Sequence, residues 1–103
     1  MTRRVFAPRA RRELRQAAAW IAEENPDAAE RLLEAALQAG EMIVAKPMLA
    51  HMRLELAPER YRFWPLRGYS YLLVVDAQHK PPVIARFVHQ ARDLPVVLDD
   101  LEG

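Results

Sequence analysis

The chain has 103 residues, 51% of them hydrophobic, with three glycines, no cysteine and a formal net charge of +1. That balance excludes a disordered polymer, a disulfide scaffold and a thiolate metal site, and it suits one domain spanning residues 1–103. A chain of this size buries roughly 65% of its unfolded surface, enough for one modest core. The small net charge hides an uneven distribution. Arg3, Arg4, Arg9, Arg11, Arg12 and Arg15 crowd the start, Asp99, Asp100 and Glu102 close the end, and only Lys46 and Lys80 are lysine. Arg3-Arg4 is followed by no apolar run, so the start does not read as a signal peptide. No stretch approaches ~18 apolar residues, so no membrane span is expected. The absence of cysteine suits a reducing compartment, and the expected location is the cytoplasm.

Residues Arg3 to Ala7, with Val5 and Phe6 apolar, read as a first strand, and Pro8 stands where a helix begins. From Arg9 to Glu24 the apolar positions Ala10, Leu14, Ala17, Ala18 and Ile21 follow the helical period, with Trp20 beside the stripe. Asn25-Pro26-Asp27 is the clearest punctuation. Asn25 can cap a second helix, Pro26 fits its first position, and Asp27 suits the positive end of its dipole. That helix is expected to run to about Ala45 and to pair with the first as an antiparallel hairpin. The small residues Ala17, Ala18, Ala36 and Gly40 permit close approach.

Lys46-Pro47 ends the second helix, and Met48 to Arg60 reads as an ordered loop. Three strands are expected at Tyr61–Leu66, Tyr69–Asp76 and Val83–His89, with a tight turn at Arg67-Gly68 and a Pro-rich connection from Ala77 to Pro82. The tail beyond Gln90 offers Val96, Val97 and Leu98 for packing, but its acidic end, from about residue 96, is expected to be mobile. The fold class is therefore α+β: an N-terminal strand, a helical hairpin, then a three-stranded antiparallel meander with the helices on one face. In the last strand the Val83, Ala85, Phe87 face is the better core face, which leaves Ile84, Arg86 and Val88 on the other. If Arg62, Trp64 and Leu66 share that open face, Arg62 and Arg86 lie together on an apolar, arginine-bearing surface. The alternative is that the tail or a second copy covers it.

The fragments Phe6-Ala-Pro-Arg-Ala-Arg-Arg-Glu-Leu14, Trp20 to Leu32, Arg62-Phe63, Gly68-Tyr69 and Arg86-Phe-Val-His89-Gln-Ala-Arg92-Asp93 occur in an order and spacing that resemble the ParE branch of the ParE/RelE toxins. The resemblance implies the toxin of a type II toxin–antitoxin module. Its antitoxin would fold a disordered segment along the toxin's helices and sheet. It also implies inhibition of DNA gyrase, whereas the RelE branch cleaves messenger RNA on the ribosome. The chain departs from the ParE pattern in having Val74, Val75 and Asp76 where an aromatic residue and an arginine are usual, and Gln90 where glycine usually follows the closing His.

Chemistry separates the two branches. RNA cleavage needs an activated 2′-hydroxyl, a stabilised phosphate charge and a protonated leaving oxygen. Arg62, Arg86 and His89 are the candidate catalytic set if the chain is a nuclease. No aromatic residue follows Phe87, however, and the lysines expected before the second strand are missing apart from Lys46. A gyrase inhibitor is thus the leading expectation. An RNA-cleaving relative and a harmless one that only binds its antitoxin are the alternatives. Arg62, Trp64, Arg67, Arg86, His89 and Arg92 are the expected target-facing residues; Arg9, Arg12, Leu14 and Trp20 are the expected antitoxin-facing ones. Each has a plainer reading: a strand-end hydrogen bond for His89, a local ion pair for Arg92-Asp93, and a solvated helix face for the first arginines. No cofactor is expected, and His51 with Met48 and Met52 lacks the partners of a metal site.

Overall fold

The computed structural model describes residues 5–102. Helix α1 spans Pro8–Ala22 and helix α2 spans Pro26–Ala45. The turn between them forms as its residues dictate: the Asn25 side-chain oxygen accepts from the Ala28 N–H at 3.1 Å, and Pro26 opens α2. A 3-10 turn at Pro47–Leu49 leads into a two-residue strand, β1 (His51–Met52). Three longer strands follow, β2 (Tyr61–Pro65), β3 (Tyr71–Asp76) and β4 (Val83–His89), and a short helix α3 (Leu94–Val97) closes the described chain.

The sheet is antiparallel in the order β1-β2-β3-β4. The expected three-stranded meander is thus present, with a fourth, minimal strand cut from what reads as a loop in sequence. The expected first strand falls partly on Arg3 and Arg4, which lie outside the described residues. Its remainder makes a single parallel bridge, Phe6 with Ile84, in which the Ile84 N–H donates to Val5 and the Ala7 N–H donates to Ile84.

The helices cover one sheet face. Leu14, Leu32, Ala36 and Ile43 meet Leu66, Leu73, Val75, Ile84 and Phe87 in the main core. Gly40 is the point of closest approach, but its neighbour is the N-terminal segment rather than α1: a β-carbon there would lie 2.7 Å from the Phe6 ring. The other face is covered too, by the chain's own end. Tyr61, Phe63, Leu72, Val74 and Val88 pack under Ala57, Leu98 and the partly buried Leu56, Leu94, Val97 and Leu101. Leu98 has no exposed surface. In the tail from residue 96, expected to be mobile, Val97, Leu98 and Leu101 pack on this face while Val96 stays exposed. An apolar sheet face of this size had to be covered, and the tail carries the apolar residues to do it.

Two turns hold the strands in register. Gly68, at φ 84°, supplies the left-handed step between β2 and β3. Asp76, almost fully buried, closes the β3–β4 connection: Arg60 grips its carboxylate at 3.1 and 2.9 Å, and the N–H groups of Gln78 and His79 donate to it. The residue that breaks the family's usual strand ending is thus an anchor for the following turn.

Candidate functional site

The facing of β4 sets the site. Val75 pairs with Ile84 and Val74 with Arg86, so Ala85 is an extra residue and the strand changes phase there. Ile84 and Phe87 both turn toward the helices. Arg86 and Val88 turn toward the tail with their partners Val74 and Leu72. The expected face of Val83, Ala85 and Phe87 is broken by this bulge. Arg62 pairs with Val75 and Trp64 with Leu73, which places both on the helix side. Arg62 and Arg86 therefore lie on opposite faces of the sheet, and the shared arginine surface expected for them does not form.

Nor is Arg86 open. Its residue is 3% exposed. Glu13, one helical turn and a half into α1, accepts from its Nε at 3.0 and 3.1 Å and from Nη2 at 2.7 Å. The Val97 carbonyl accepts from Nη1 at 2.8 Å, and the Asp100 carboxylate accepts from the same nitrogen. Glu13 also accepts from the Phe87 N–H at 2.9 Å, satisfying a donor on the outer edge of β4 just past the Phe6 bridge. Burial pulls the Arg86 pKa down, but the hydrogen bonds and charges of Glu13 and Asp100 outweigh it and hold the guanidinium above its ordinary value. Arg86 ties α1, β4 and the tail together. With its donors spent on two carboxylates and a carbonyl, it is a strut and not a free phosphate ligand.

The other target-facing candidates scatter. The Arg62 guanidinium donates to the Ala50 carbonyl at 3.2 Å, and Trp64 packs partly buried against the main core. Arg67 is exposed in the β2–β3 turn. His89 makes an edge contact with Tyr71 at 5.0 Å, and its Nδ1 accepts from the Ala91 N–H at 3.0 Å, so it holds the corner after β4. Gln90, standing where glycine is usual, extends the ladder through its N–H to Ser70 at 2.8 Å. Arg92 is exposed and lines a cleft of about 430 Å³ between α1 and the tail.

The antitoxin-facing candidates likewise divide among three places. Leu14 is buried at the floor of a groove of about 530 Å³, where Val5 and Phe6 meet Leu33 and Leu37 of α2, with Arg11, Arg15 and Glu41 at the rim. Arg9 and Arg12 point the other way, into the cleft beside the tail. Trp20 stands exposed near the helical turn, against Ile21 and Asn25. Sequence reasoning missed Glu13, Asp100 and the α2 side of the groove. A signal for Glu13 existed: a lone arginine in a strand apolar on both faces demands a buried carboxylate, and Glu13 is the one acid among the first helix's arginines.

Among the described residues no group of three His, Asp or Glu side chains is placed to hold a metal ion, and no helix is long and apolar enough to cross a membrane. Residues 5–94 match the family model described as ParE toxin of type II toxin-antitoxin system, parDE. No curated protein matches the sequence.

Proposed function

The chain belongs to the ParE toxin family of type II toxin–antitoxin systems, with a cognate antitoxin as its partner, and from that premise we propose that it acts in the cytoplasm by binding and inhibiting DNA gyrase. The observation that carries this reading is the fate of the three residues an RNA-cleaving site would need. Arg86 is saturated by Glu13, Asp100 and the Val97 carbonyl, Arg62 is on the opposite sheet face, and His89 is engaged at Nδ1 by its own turn. General acid–base catalysis requires such groups to converge on one phosphate. A protein-binding poison requires only surfaces.

The groove between α1 and α2 supports the antitoxin's place. Its apolar floor, rimmed by Arg11 and Arg15 and by one acid, Glu41, suits an amphipathic helix whose acidic flank lies on the α1 side. Arg67, exposed beside Gly68, and Arg92 remain available to the target.

Purified gyrase tests the reading directly. Supercoiling should fall, and cleaved DNA should be trapped, at stoichiometric toxin. Untouched supercoiling at excess toxin, together with messenger RNA cut on translating ribosomes and protected by His89→Ala, would establish the nuclease instead. If expression without antitoxin leaves growth unaffected, the chain is a binding module alone.

A further inference from the structure

We propose that the cleft between α1 and the C-terminal tail is a second docking surface, separate from the antitoxin groove, which takes an acidic segment of the toxin's target protein. The proposal rests on the reading that this toxin acts by protein contact.

The spacing on α1 creates two faces. Leu14, with Arg11 and Arg15, turns to the groove beside α2; Arg9, Arg12 and Gln16 turn to the tail. In the cleft, two arginines already hold a carboxylate. Asp100 binds Arg9 at 3.2 Å and also binds Arg86 in the floor. The site therefore takes carboxylates by construction, and one end of it is filled by the chain's own. Arg12 and Arg92 line the rest, and their guanidinium groups have no hydrogen-bond or ion-pair partner among the described residues. A guanidinium presents a fork of donors matched to a carboxylate, and Gln16 adds an amide beside the pair.

The occupant is a short acidic peptide and not a nucleic acid. Glu13, paired with Arg86, and Asp99 line the same cleft and Asp100 closes it, so a continuous phosphate chain would run against three carboxylates. Polyanion binding draws its strength from many neutralised phosphates, and a chain of net charge +1 has no general field to supply it. One or two carboxylates on a flexible segment can reach Arg12 and Arg92 without lying along Asp99.

The test is an amide-shift NMR titration of the full chain with a deca-glutamate peptide. Saturable shifts should centre on Arg9, Arg12 and Gln16 together with residues 92–99, and leave Arg11, Arg15 and the α2 side of the groove unmoved. Arg12→Ala with Arg92→Ala should weaken binding about tenfold or more. Asp99→Asn should tighten it, a change of sign that a purely structural role would not produce. Absence of saturation, or shifts centred on Arg11, Arg15 and Leu37, would overturn the proposal. Saturation of the cleft by a single-stranded DNA 12-mer but not by the peptide would overturn it in favour of a nucleic-acid site. In cells, Arg12→Glu with Arg92→Glu should lose growth arrest yet still co-purify with the antitoxin; retained arrest with lost antitoxin binding contradicts it. A wild-type chain that neither arrests growth nor inhibits gyrase would fail the functional reading, while the titration still decides the cleft.

Discussion

At Arg86 the stabilising and functional readings of one residue diverge. A buried guanidinium costs several kcal/mol in lost hydration and is tolerated only with full pairing. Glu13 and Asp100 provide that pairing from two distant parts of the chain. Arg86→Ala should therefore destabilise the fold by about 3–5 kcal/mol, because Glu13 loses its cation while remaining partly buried. The companion variant Arg86→Met with Glu13→Leu should recover part of that loss: Asp100 keeps Arg9, and what remains is the Phe87 N–H without its acceptor. Denaturant unfolding of the two variants separates a strut from a catalytic residue, since a catalytic role alone would leave both curves near wild type. The tyrosines supply a second expectation. Burial raises the Tyr71 phenol above its ordinary value, and burial together with the Asp76 charge raises Tyr61. The neutral phenol is thus the favoured form in the fold. The associated stability is complete below the unfolded value near pH 10 and is lost as pH rises through the folded values. Absorbance titration should show Tyr61 and Tyr71 ionising late, with unfolding becoming easier across that alkaline window.

The elements differ in how far they can be read from sequence, and the difference follows the range of the interactions that set them. The Asn25 cap, Pro26 at the head of α2 and Gly68 in its turn act within a few residues, and the sequence carries each of them openly. The facing of β4 is not local. Its bulge at Ala85 arises from pairing with β3, and nothing in Val83 to His89 distinguishes a phase change from plain alternation. β1 exists only because His51 and Met52 lie beside Phe63 and Arg62. The tail is the least local element. Three acids near the C-terminus suggest solvent, yet Asp100 reaches inward to Arg86 and Arg9, and Leu98 fills the second core. Shortening that side chain tests its weight: Leu98→Ala should cost about 2–4 kcal/mol, as for other fully buried leucines. A change below ~0.5 kcal/mol in denaturant unfolding would mean that the tail does not cover the sheet in solution.

For the whole molecule, the main consequence is a division of surfaces. The groove of α1 and α2 is apolar with Arg11, Arg15 and Glu41 at its edges; the cleft of α1 and the tail is charged; the sheet offers neither face, since helices cover one and the tail the other. The residues expected to face the target therefore do not share one surface. Arginines were expected to mark the working surface, but Arg62 and Arg86 serve the fold, and the exposed ones lie on helix faces and turns whose packing is set by contacts far along the chain. Leu37, nearly half exposed in the groove, is the direct probe of antitoxin docking. Leu37→Asp should weaken the antitoxin complex by roughly 30-fold, the scale of a lost apolar hot spot, with little change in the toxin's own stability; calorimetry of the two purified partners reads both. The central claim is that this fold poisons gyrase by binding and cuts no RNA. Recovery of gyrase covalently joined to DNA from cells after toxin induction tests it most directly. The expected result is accumulation of gyrase-linked, broken DNA with full-length messenger RNA. Intact DNA with messages cleaved on ribosomes would contradict it.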